Sequence, residues 1–172
     1  MVMFEDEAGF GRIFKPGACW ARKGVRPEVP AHHIREMRYA YGAVSPETGA
    51  HFFLILPYCK TDCMTLFLSK LSEAYPDKYI ILICDNAVWH KSKGLFIPEN
   101  IEMTNIPPYT PEMNPIEQIW AEFRRRGFVN RAFATLEKVV DRLCEVIQGL
   151  SMADVRSITH REWIIEPILK AI

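Results

Sequence analysis

The sequence has no excess of either charge: Lys plus Arg and Asp plus Glu number 21 each in 172 residues. A protein that coats DNA by simple attraction usually carries a basic surplus, so that class is disfavoured. An enzyme that meets DNA through bound cations is less affected, because the ions neutralise the very acids that lower the count. Long apolar runs are also missing, and none approaches the roughly 18 residues of a membrane span. The opening stretch MVMFEDEAGF has no basic region followed by an apolar one, so no secretory signal is expected. Cysteines are few and form no CxxC pair: Cys19, Cys59, Cys63, Cys84 and Cys144 are odd in number, which fits a reducing cytosol better than a disulfide framework. Cys59 and Cys63 lie four apart with no His or further Cys close by, so no zinc site is expected there, and buried structural thiols are the expectation. No internal repeat, low-complexity tract or linker is visible, and the length fits one domain with a full core.

What is present is a series of short, well-punctuated elements. Residues 2–7 alternate as a strand that Gly9 and Gly11 should break. Two aromatic-rich runs, 37–45 and 50–57, flank Pro46-Glu47-Thr48-Gly49, and a Pro-x-x-Gly turn predicts an antiparallel hairpin. Met64, Phe67, Leu68, Leu71 and Tyr75 form one stripe of an amphipathic helix that Pro76 stops. Residues 78–84 read as a buried strand, and 101–106 as another that Pro107 and Pro108 end. Asn114 and Pro115 predict a helix from 115 to about 126, with Asn114 as its cap. Leu136, Val139, Val140, Leu143, Ile147 and Leu150 predict a further helix ending at Gly149. A short polar turn and a final segment, 161–172, close the chain as an extension of helical character from 151. A hairpin plus later strands joined through helices implies an α/β fold with a mixed five-stranded sheet and flanking helices.

The chemistry lies in where the acids fall. Asp6 closes the first strand, Asp85 follows the buried strand directly, and Glu117 sits in the first turn of the helix after Asn114. Desolvating an unpaired carboxylate costs roughly several kcal/mol, so Asp85 calls for a partner. If the first and fourth strands are parallel neighbours, Asp6 and Asp85 stand side by side and repel each other unless cations lie between them. Hard divalent ions prefer such oxygen ligands and keep open positions for water and phosphate oxygens. Blander readings stand beside this one. Asp85 fits ligand sites of many α/β folds, Glu5 and Glu7 look as good as Asp6, and Glu117 could reach back to the Asn114 amide as a capping box.

FEDEAGF at 4–10, CDNAVWHKS at 84–92 and PPYTPEMNPIEQIWAEFR at 107–124 together resemble the catalytic domain of mariner-like insertion-sequence transposases of the DDE superfamily. The third motif is the most specific, with its double proline, its Asn-Pro-Ile-Glu and a Trp three residues on. The resemblance covers about residues 1–150 and implies a ribonuclease H-like fold. It implies Asp6, Asp85 and Glu117 as the catalytic, metal-binding triad for Mg²⁺ (or Mn²⁺), two ions per site. Asp6 is preferred over its neighbours because it holds the family's position in Phe-x-Asp-Glu. The activity implied is metal-dependent DNA strand cleavage and strand transfer, with no protein base required. A rival reading is a catalytically silent relic that binds DNA or a partner transposase as a regulator. A third, a nuclease cutting RNA in hybrids, is disfavoured by the Asn-Pro-Ile-Glu segment.

Around the triad, Asn86 and Asn114 are candidates for orienting the acids, although an Asn after a strand is more often a turn residue. His90, Lys91 and Lys93 are candidates for meeting DNA phosphates or, for His90, for supporting the metal-binding acids. Arg22 and Lys23, with Lys15 and Arg26, make a basic stretch around Trp20 that could lie along DNA. Arg124, Arg125 and Arg126 splay around a helix, so one or two of them could grip phosphate. Trp89 and Trp120 read as core, and His32-His33 as structural for want of a third ligand. The chain reads as a single domain, core about 1–150 and extension 151–172, with no helix-turn-helix ahead of the first strand. The implied partners are therefore double-stranded DNA (element ends and target), a helix-turn-helix polypeptide encoded separately or missing, and a second copy as a homodimer. A bacterial-type cytosol, at the nucleoid when DNA-bound, is the expected location.

Overall fold

A computed structural model describes residues 1–13, 16–29, 33–108 and 110–170; Lys15 and His32 of the sequence reading fall outside these. Five strands form one sheet: β1 (Val2–Gly11), β2 (Met37–Val44), β3 (His51–Leu56), β4 (Ile80–Cys84) and β5 (Ile101–Asn105), in the order β3-β2-β1-β4-β5. β1 pairs antiparallel with β2 and parallel with β4, while β3 and β5 close the two sides. The hairpin between β2 and β3 turns where expected, with Gly49 at φ +78° and its N–H donating to the Ser45 carbonyl at 2.8 Å.

β1 is longer than its sequence suggested. Gly9 does not break it, because β2 continues to pair with it as far as Gly11 opposite Met37. Ladder hydrogen bonds and flanking aromatics outweigh the weak strand preference of glycine. Asp6 therefore lies in the middle of β1 and not at its end.

Side chains alternate between the two faces. On one, Phe4, Ala8 and Phe10 of β1 pack against α2 (Ile116–Gly127) and α3 (Leu136–Gln148) through Ile116, Ile119, Trp120, Phe123, Val139 and Leu143. On the other, Met3, Tyr41, Leu56 and Leu82 pack against α1 (Thr61–Ala74), whose Met64, Phe67, Leu68 and Leu71 are the stripe read from sequence. Burying an aliphatic or Phe side chain of this kind contributes roughly 1.5–3 kcal/mol, which is what fixes α1 and α2 to opposite faces.

Two further helices follow, α4 (Met152–Thr159) and α5 (Glu162–Lys170). α4 replaces the expected polar turn. Its start is held by a reciprocal cap in which Ser151 Oγ accepts from the Asp154 N–H and the Asp154 carboxylate accepts from the Ser151 N–H. Ser-x-x-Asp at 151–154 was the available signal. Trp120 is core as read, His33 is exposed rather than packed, and Cys19 is an exposed thiol where a buried one was expected. Among the described residues no helix is long and apolar enough to cross a membrane.

Candidate metal and active site

The parallel pairing of β1 and β4 runs Val2–Ile81, Met3–Leu82, Phe4–Ile83. Two residues further along stand Asp6, still within β1, and Asp85, just past the end of β4. Asp6 shares the α2 face of β1 with Phe4 and Ala8, and there the Trp120 indole N–H donates to Asp6 Oδ2 at 2.9 Å. Glu117 sits one turn before Trp120 on α2 and is exposed. Its charge reaches Asp6. Burial first, then the Glu117 and Glu7 charges, push the Asp6 carboxyl up from its ordinary 3.8 to about 7, against the pull of the Trp120 hydrogen bond.

Asp85 is less constrained. Its side chain is 46% exposed, Oδ1 accepts from the Ala87 N–H at 2.8 Å and lies 3.0 Å from His90 Nδ1. The partner that Asp85 was expected to need is supplied by local donors and solvent, and desolvation falls on Asp6. Asn114 is not the cap of α2, which falls to Pro115; it stands one residue before, with its Oδ1 accepting from the Ile116 N–H at 3.3 Å. Its Nδ2 also donates to the Glu5 carbonyl at 2.8 Å, tying the start of α2 to β1 beside Asp6. Among the described residues Glu117 makes no side-chain hydrogen bond, so the capping-box role is not taken and its carboxylate is free to turn toward Asp6.

The α1 face of the same strands holds a group the sequence reading did not assemble. Glu5 is fully buried and neither of its carboxylate oxygens has a hydrogen-bond donor. The His90 side chain is buried beside it, with Nε2 3.2 Å from Glu7 Oε1 and 3.6 Å from Glu5 Oε2. The Trp89 indole N–H donates to Glu7 Oε1 at 2.7 Å. Burial depresses the His90 pKa, but the hydrogen bond and charge of Glu7 outweigh it and the net direction is up. Burial, then the charges of Glu7, Asp6 and Asp85, raise Glu5 well above the usual carboxylate range. The His90 side chain has no exposed surface, and the imidazole stands behind Asp85, where it can orient it. The missed signal was an acid at position 5, in phase with core-facing Met3.

Asn86 is engaged elsewhere. Its Nδ2 donates to the Ile106 carbonyl at 2.8 Å and its Oδ1 accepts from Lys91 Nζ at 2.6 Å, so it stitches the ends of β4 and β5, while the Asn105 amide donates to the Asp85 carbonyl. Lys91, Lys93, Arg22, Lys23 and Arg124 are exposed. The Arg124 guanidinium lies over the Phe10 ring at 5.4 Å. Arg125 is held by both oxygens of Glu122, at 2.7 and 2.6 Å, and that pairing first, then Arg126, draws the Glu122 carboxyl down to about 2. A concavity of about 650 Å³ beside Phe10, Gly11 and Arg124 contains none of the acids.

Compared with known families, residues 1–140 match the DDE superfamily endonucleases. The chain belongs to this family. It is 35% identical over 128 residues to an uncharacterized protein, y4pE/y4sA, of Sinorhizobium fredii (strain NBRC 101917 / NGR234), an alignment covering 73% of this chain and 95% of that protein. Among solved structures it is similar to a pre-cleavage Mos1 transpososome, with a TM-score of 0.71 at 15% identity over 92% of this chain and 52% of that one. It is equally similar to the Mos1 mariner paired-end complex with Mn, with a TM-score of 0.70 at 16% identity over 92% and 51%. Such identity shows the fold, which is ribonuclease H-like as the mixed five-stranded sheet was read to be. The chain spans about half the length of those Mos1 chains.

As a DDE superfamily endonuclease the chain has a family-level use for divalent metal ions, and the residues fit one. Asp6, Asp85 and Glu117 offer only hard oxygen donors, and the Asp6 carboxyl, raised first by burial and then by the Glu117 charge, has no cation beside it among the described residues. A stability test follows. Unfolded, Asp6 loses its proton near pH 3.8; folded, it keeps it to about pH 7, so its protonated form favours the folded state below 3.8 and that contribution drains away as pH rises to 7. Glu5 and His90 are raised too and act in the same direction. The melting temperature of metal-free protein should fall between pH 4 and pH 7.5, by an amount that corresponds to a few kcal/mol. Asp6→Asn should flatten the slope, and a flat or rising profile in the unsubstituted protein would contradict the assignment.

Proposed function

We propose that this chain is the catalytic domain of a transposase, which cuts DNA at element ends and joins the freed end to a target. The reading rests on Asp6 and Asp85 each standing two residues beyond the last β1–β4 pair, Phe4–Ile83, with the Glu117 charge felt at Asp6. Asp6, Asp85 and Glu117 would hold two Mg²⁺ or Mn²⁺ ions. When bound, such ions lower the pKa of water and neutralise charge on the attacking and leaving oxygens.

The chain's own residues do the positioning. Trp120 fixes one oxygen of Asp6 and leaves the other available. His90 would hold Asp85 from behind, and Asn114 ties the start of α2, whose first turn carries Glu117, to β1. In the cut, water attacks the scissile phosphorus and the bond to the 3′ oxygen breaks, leaving a 3′-hydroxyl. In the joining step that hydroxyl would attack a target phosphodiester, whose own bond to its 3′ oxygen breaks to release a target 3′-hydroxyl. Lys91, Lys93, Arg22, Lys23, Arg124 and Arg125 are the cations available to grip flanking phosphates, as single phosphate-neutralising contacts that salt should weaken. End recognition would come from a helix-turn-helix on another polypeptide or segment, with two copies acting on paired ends in a bacterial-type cytosol. The silent-regulator reading gains nothing from the geometry.

The test is a nicking assay on duplex carrying the element end, with Mg²⁺ or Mn²⁺ and a helix-turn-helix partner supplied. Strand-specific nicking that stops on chelation is expected. Absence of any metal-dependent nicking from the supplemented protein would sink the reading.

A further inference from the structure

On the α1 side of the sheet, back to back with the acids of the proposed DNA site, we propose a second cation site formed by Glu5, Cys84 and His90 that takes Zn²⁺ and locks the ends of β1 and β4. One ligand atom from each of these three buried residues lies within 4.8 Å of the other two. The Glu5 carboxylate is fully buried with no donor to either oxygen, so it is aimed into the group unsatisfied. A buried ion in that condition is severely penalised, and a divalent cation is the partner that removes the penalty.

The imidazole is oriented as a metal ligand would be. His90 turns Nδ1 to the Asp85 carboxylate at 3.0 Å and Nε2 inward toward Glu5 and Glu7. Metal-binding histidines habitually donate their outer N–H to a carboxylate in this way, which fixes the tautomer. Sulfur, imidazole nitrogen and a carboxylate oxygen together suit zinc, whereas the all-oxygen triad on the other face suits magnesium. Glu7 Oε1 lies 3.2 Å from the same nitrogen and accepts from the Trp89 indole N–H, at the edge of the group. On binding, the Cys84 thiol gives its proton to solvent. An ion there would also stiffen Asp85 through His90, which connects the site to the proposed function on which this consequence rests.

The experiment uses Co²⁺ as a spectroscopic stand-in for Zn²⁺ on metal-free full chain. One equivalent should give a thiolate-to-cobalt charge-transfer band with intense tetrahedral ligand-field bands, both abolished by adding Zn²⁺. Zn²⁺ should raise the melting temperature by several degrees. Cys84→Ser should lose the charge-transfer band and Glu5→Gln should weaken binding at least about tenfold. A Cys59→Ser/Cys63→Ala double variant should keep the band, which preserves the test if Cys84→Ser does not fold. Asp6→Asn and Glu117→Gln should also keep it while losing Mg²⁺-dependent nicking, so the two sites fail separately. No thiolate band in the unsubstituted chain, an unchanged band in Cys84→Ser, or its loss in the Cys59/Cys63 variant would overturn the proposal, the first meaning that Glu5 is simply a buried protonated acid.

Discussion

Asp85→Asn is expected to lower the rate of Mg²⁺-dependent nicking by at least about a thousandfold while leaving the protein folded. The substitution keeps the size of the side chain, its acceptor for the Ala87 N–H and its half-exposed setting, so packing has little to lose. What it removes is one negative charge and one hard ligand, and metal-borne stabilisation of the transition state is worth several kcal/mol, or roughly a factor of ten per 1.4 kcal/mol. Asp6→Asn and Glu117→Gln should fall as far. Asp6→Asn should also melt higher than the unsubstituted protein at pH 7.5 without metal, because it deletes a carboxylate that burial and its neighbours already oppose. Single-turnover nicking and thermal denaturation on the same preparations separate the two effects. A folded triad variant that nicks at the original rate would remove that residue from the site.

Trp120→Ala is expected to destabilise the fold by about 3–5 kcal/mol, the range for truncating a large buried aromatic. The ring is 1% exposed and meets Phe10, Phe53 and Phe123 edge-on, at centroid distances of 6.3, 5.8 and 5.6 Å. Gly42 on β2 leaves room for it, since a Cβ there would stand 2.7 Å from the indole. Trp120 is also the donor to Asp6, so core and site are joined at this residue. Trp120→Phe separates the two roles: it should retain most of the stability yet push the Asp6 carboxyl further up and shift the nicking pH profile toward alkaline values. Urea unfolding measures the first and a rate–pH profile the second. A cost below about 1 kcal/mol for the alanine variant would mean that α2 is not held to the sheet through this ring.

Much of the scaffold was legible because local periodicity and packing agree. The Met64-Phe67-Leu68-Leu71 stripe is buried as spaced, and the 46–49 turn makes its hairpin. The identity of the acids was legible through three motifs rather than through physics, since pattern alone left Glu5 and Glu7 as good as Asp6. What failed depended on partners distant in the chain. Gly9 is held in β1 by β2, and Glu5 becomes a buried unsatisfied acid only when β4 and the turn carrying His90 close over it. The same closure buries the His90 side chain. A search of the sequence for cysteine pairs could not find Cys84, whose neighbours in space are a strand and a turn away.

The central claim is that Asp6, Asp85 and Glu117 hold divalent ions together, and anomalous scattering from crystals grown with Mn²⁺ tests it most directly. The account predicts Mn²⁺ density bounded by the carboxylates of all three acids, with the α1-side cluster distinguished by its preference for Zn²⁺. Manganese absent from that space, or bound by Asp85 without Asp6 and Glu117, would contradict it.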